Sequence, residues 1–84
     1  MDTEIAIQTK IEPQLVDTFG RRVANSLLAL ATVDYAITDG NAIDRYRAFV
    51  HSICSDDRVV STWGEQGVAR QKEGWEALVT TLSN

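Results

Sequence analysis

The chain has 84 residues, 44% of them apolar and 24% charged, with a formal charge of −4 and one cysteine. That length holds a single domain with one modest core and leaves little room for a deep, enclosed active site. The acidic balance argues against nucleic acid and anionic membrane surfaces as partners, the lone thiol excludes a disulfide scaffold, and the patterned apolar content excludes disorder.

Asp2 and Glu4 stand where a secretory signal carries positive charge, and the longest apolar run, Leu27 to Ala31, is far shorter than the ~20 residues that span a bilayer. The expectation is a cytoplasmic protein with no membrane partner.

Residues 1 to 11 carry two patterns. Ile5 and Ile7 alternate with polar neighbours, as in a strand, whereas Ile7 and Ile11 share a helical face that Thr3 is able to cap. A lone strand has nothing to pair with, so a short helix is predicted. Pro13 suits the first turn of a following helix, where its missing N–H costs nothing. From there Val16, Phe19, Val23, Leu27, Leu30, Val33 and Ile37 recur at three and four residues, predicting one apolar stripe up to about Thr38. Gly20 interrupts it, as a kink, a break or a close contact. Val23 to Ala36, rich in Ala and Leu, is expected to be the central and most buried helix.

Thr38-Asp39-Gly40-Asn41 stops that helix, with Gly40 in the left-handed C-terminal conformation, Asn41 capping the next helix and Asp44 favouring its positive start. Ile43, Tyr46, Phe49 or Val50, and Ile53 give the inward face of this helix, which ends near Cys54. Ser55 is expected to cap a short segment with Asp56 and Asp57 in its first turn and Val59, Val60 and Trp63 on its apolar face. Gly64 and Gly67 bracket a turn. A last helix then runs from about Val68 to Leu82, facing inward with Trp75, Leu78, Val79 and Leu82; Gly74 weakens it, so packing holds it more than propensity. The fold expected is all-α, a single domain over 1–84, arranged as a compact bundle or orthogonal array of four to five helices.

Few residues point to chemistry. His51 and Cys54 share a helical face as H-x-x-C, the spacing of a tuned thiol or half a metal site, but no further Cys or His completes a ligand set, and Cys54 also extends a buried row. One His and one Cys make no nucleophilic triad, the glycines fit no phosphate loop, and Asp34, Asp39 and Asn41 lack calcium-loop spacing. The carboxylate pairs Asp56-Asp57 and Glu73-Glu76 read as a helix start and a solvated face. Arg21-Arg22 and Arg45-x-Arg47 open two helices and, if adjacent, form a basic spot for an anion, an RNA phosphate or an acidic partner, unless they pair with Asp17, Asp34 or Asp44. Trp63 beside Gly64 is a candidate contact residue, while Trp75 belongs to the core.

The function expected is a helical interaction or regulatory module, not an enzyme and without a cofactor or metal. It binds a partner protein, with a second copy of the chain as one candidate. The helices carry more apolar surface than so small a bundle hides. The alternatives are a helix-turn-helix-like nucleic-acid regulator reading with Arg45, Tyr46 and Arg47, and a thiol or metal function at His51 and Cys54.

Overall fold

The structure, a computed structural model, describes residues 2–80. Its elements are α1 (Thr3–Ala6), a π-helical turn (Ile7–Ile11), α2 (Glu12–Phe19), α3 (Arg21–Ile37), α4 (Ala42–Cys54) and α5 (Asp57–Thr80), with no strand among the described residues. The fold is all-α. Its radius of gyration is 12.0 Å, matching the roughly 12 Å expected of a compact domain of this length.

The first helix starts on a side chain. The Asp2 carboxylate, not Thr3, accepts from the Glu4 and Ile5 backbone N–H groups, and Thr3 is buried instead. The predicted short helix is there, but it does not end before Pro13. It widens into the π turn and continues as α2, with Pro13 in α2's first turn. Proline has no N–H and its ring presses on the carbonyl four residues back, here that of Thr9. Inserting one extra residue per turn, as the Glu12 N–H bonding to Ile7 O does, moves that carbonyl aside without stopping the helix.

Two glycines bend the chain in the same way. Gly20 (φ 84°, ψ 163°) separates α2 from α3, and Gly64 (φ 74°, ψ 165°) breaks α5 into 57–63 and 65–80. This backbone region is open essentially to glycine alone. The single stripe predicted across Gly20 is therefore two helices. The turn predicted over Gly64 to Gly67 is a one-residue bend, and the helix resumes at once, before the predicted start at Val68. The residues preceding the two bends, Phe19 and Trp63, touch with ring centroids 5.6 Å apart, so the bends are joined side by side.

The link from α3 to α4 follows the expected chemistry at one end only. Asn41 and Asp44 form a capping box, each side chain accepting from the other residue's backbone N–H. At the other end Thr38, in extended conformation, is the C-cap, and Gly40 sits at φ 129°, outside the left-handed helical well. After α4, Asp56 rather than Ser55 caps the next helix, accepting from the Arg58 N–H while also pairing with its guanidinium. The salt bridge holds the Asp56 carboxyl below its ordinary pKa.

Helix α4, not α3, is the centre. It packs on α3, α5 and α1 and buries Tyr46, Phe49, Val50, Ile53 and Cys54. Of α3 only Ala24, Leu27 and Ala31 are buried. Two of those three are alanines, which leave room beside Leu27 for the large side chains of α4, the dense interdigitation a core requires. The expectation that Leu30, Val33 and Ile37 point inward is thus overturned: they are 56%, 56% and 71% exposed. The core closes with Ile11 from the π turn, Leu15 from α2, and Val59, Val68, Trp75 and Val79 from α5. The predicted inward place of Leu82 lies outside the described residues.

Candidate interaction surface

The outer side of α3 is the main apolar feature facing solvent. With Leu27 and Ala31 turned onto α4, the helical repeat of about 100° per residue sends Leu30, Val33 and Ile37 outward. Ala29 and Ala36 lie exposed beside them. From position 29 to 37 this side carries no charge; Asp34, the one ionisable carboxylate there, is half-buried on the flank. Among the described residues the only other large exposed apolar side chain is Ile5.

The arginines do not gather. Arg45 Nε donates to the Thr38 carbonyl at the end of α3 (3.3 Å), while Arg58 Nη1 reaches Ser26 near its beginning (3.3 Å). Helix α4 therefore runs back along α3, and Arg21-Arg22 and Arg45-x-Arg47 stand at opposite ends of a 17-residue helix, roughly 25 Å apart. Arg21 pairs with Glu12 at 3.3 Å; Arg22 and Arg47 are exposed, with no ion pair among the described residues.

Trp63 is half-buried between Phe19 and Trp75, the latter 6.0 Å away edge-on. Trp75 is core. Its indole Nε1 donates to Gln14 Oε1 (3.3 Å), and Gln14 in turn donates to Gln71 Oε1 (2.6 Å), tying α2 to α5. Tyr46 is fully buried and donates its hydroxyl to the Trp75 carbonyl (2.6 Å). Desolvation, helped by Glu76, raises its pKa to about 12. A side chain held this way cannot reach into a nucleic-acid groove beside Arg45 and Arg47.

His51 and Cys54 part company. The imidazole is exposed, with Nε2 3.3 Å from Ser55 Oγ. The thiol is buried, and burial pushes its pKa up to about 11, with Lys72 lowering and Glu76 raising it. It is the reverse of an activated thiolate. Among the described residues no three His, Cys, Asp or Glu side chains converge as a metal site.

Two open clefts flank the π turn. One of about 370 Å³ lies between Glu4, Ile7 and Gln8 and the Thr32, Tyr35 and Phe49 side chains; the other, about 300 Å³, is lined by Gln8, Glu12, Pro13, Val16, Asp17 and Arg21. No buried side-chain polar atom among the described residues lacks a partner, so neither cleft holds an unsatisfied group awaiting a ligand. Among those residues, too, no helix is long and apolar enough to cross a membrane.

The exposed α3 face escaped the sequence because Leu, Val and Ile outrank Ala in hydrophobicity. The signal for it was Ala24 and Ala31, seven apart around Leu27, opposite a helix of large residues. Comparison with known protein families, curated proteins and solved structures finds no match for the chain.

Proposed function

We propose that the chain is a small helical interaction module that binds another protein through the outer face of α3. The observation that supports this is the exposure of Leu30, Val33 and Ile37 on a side of α3 that is uncharged from position 29 to 37. Covering each is worth on the order of 1–2 kcal/mol at the usual yield per area. Isolated apolar residues at a surface are ordinary; three in register on one helix, with alanines beside them, are a contact stripe. The matching surface is a helix bearing apolar side chains at the same spacing of three and four.

A photo-crosslinking amino acid at Val33, with one at exposed Glu73 as control, tests the assignment in the native host. The expected result is an adduct specific to position 33 whose linked peptide, identified by mass spectrometry, is an apolar helical segment. Absence of any adduct, or equal adducts at both positions, overturns it.

A further inference from the structure

We infer that the occupant of the α3 face is a second copy of this chain, its own α3 packed antiparallel to the first across a two-fold axis near Val33. This rests on the assignment of that face as a protein-binding surface. Three observations carry it.

The first is spacing. Leu30, Val33 and Ile37 follow the three-then-four repeat of a seam between two helices, and Ala29 and Ala36 beside it are small enough for close approach.

The second is the charge at the ends of α3. Its first turn holds Arg21 and Arg22 and no acid; its last turn holds Asp34 and no base. Both are the wrong way round for the helix dipole, which favours acids at the start and bases at the end. Arg21 is offset by Glu12, whereas Arg22 has no ion-pair partner among the described residues. Arg22, Ala29 and Ala36 are seven apart and run along one line of the outer face. Arg22 stands about 16 Å along the axis from Val33. An antiparallel copy brings Arg22 toward the other copy's Thr38–Asn41 link, the end of α3 that carries exposed Asp39; Arg45 at that end already donates to the Thr38 carbonyl, and Asp39 is the acid we assign to Arg22. A parallel copy would set Arg22 on Arg22.

The third is net charge. Two copies at −4 each repel, and over positions 29 to 37 the outer side of α3 keeps that repulsion low, its one acid, Asp34, being half-buried on the flank and off the stripe itself. A stripe of five side chains falls short of the ~800 Å² per partner of a tight complex. The dimer is accordingly a weak one, with a Kd on the order of 10–100 µM.

Sedimentation equilibrium of the intact chain from about 1 µM to about 1 mM brackets that range. The expected mass rises toward twice the monomer. Leu30→Glu weakens association at least about tenfold by placing a charge at the seam, with Leu30→Ser as the milder variant and helical circular dichroism unchanged in both. Arg22→Glu and Asp39→Lys each weaken it about threefold, and the two together restore it to within about twofold. A wild-type chain that stays monomeric overturns the inference; a double variant that fails to recover overturns the antiparallel arrangement. The Val33 crosslink separates the two levels. An adduct between two copies through α3 supports both, a monomeric chain crosslinked to a different protein overturns the second copy and leaves the docking face standing, and a monomer with no adduct removes both.

Discussion

Helices α3 and α4 lie against each other and meet with opposite kinds of side chain. Helix α4 turns Tyr46, Phe49, Val50 and Ile53 to the core and keeps Arg45, Arg47 and His51 in water. Helix α3 buries only one large side chain, Leu27, between Ala24 and Ala31, and leaves Leu30, Val33 and Ile37 in solvent. The difference follows from space. Between two closely approaching helices, one large face fills the gap that a small face leaves, and two large faces would hold the axes apart. A helix's inward side is thus set by its neighbour's bulk as well as by its own hydrophobicity.

That contrast is broken most severely from the α4 side. Phe49→Ala, removing a ring that is 3% exposed and edge-on to Tyr35 at 6.4 Å, is expected to cost about 3–5 kcal/mol in urea unfolding. Next comes alkali. Tyr46 and Cys54 have pKa values raised by burial to about 12 and about 11 from 10.0 and 9.0. Folding therefore favours their protonated forms. Stability from these groups is full below pH 9 and falls as pH rises through the folded values, by up to about 2–3 kcal/mol for the tyrosine. Tyr46→Phe removes the upper part of that loss, which a Tm series from pH 8 to 12 resolves.

On the α3 side the effects shrink. Ala31→Leu, adding bulk where exposure is 0%, costs about 1–3 kcal/mol by pushing α3 off α4. Arg22→Glu, exchanging a base for an acid at the helix start, raises stability by about 0.3–1 kcal/mol in low salt while it weakens association. Val33→Thr, on the open face, changes unfolding by less than about 0.5 kcal/mol. Equal costs at Val33 and Ala31 would show that the two sides of α3 are not distinct.

What could be read from residues alone was mostly local. Asn41 is legible as a cap because the N–H it accepts from lies three residues on, whereas the return bond from the Asn41 N–H to Asp44 goes beyond the helix-start charge that the sequence suggests; the all-α class follows from repeat lengths that no strand shares. Competition between neighbouring caps was harder. Asp2 displaces Thr3 and Asp56 displaces Ser55 because a carboxylate is the stronger acceptor, taking two backbone N–H groups at Asp2 and, at Asp56, the Arg58 N–H together with its guanidinium. The π turn answers a strain that Pro13 creates within a helix already under way, so it depends on residues 3 to 11 being helical first. The facing of α3, and with it the candidate surface, rests on α4's bulk, a fact of tertiary packing that α3's own periodicity does not contain.

Cys54 gives the molecule an internal gauge. It is the only thiol in the chain, lies within the electrostatic reach of Lys72 and Glu76 on α5, and is shut in at 7% exposure. A labelling reagent reaches a thiol so enclosed mainly through local opening of the structure around it. The rate at which the folded protein is alkylated, set against that of the denatured chain, therefore counts how often the core around the end of α4 opens, with no dye or engineered probe to disturb it.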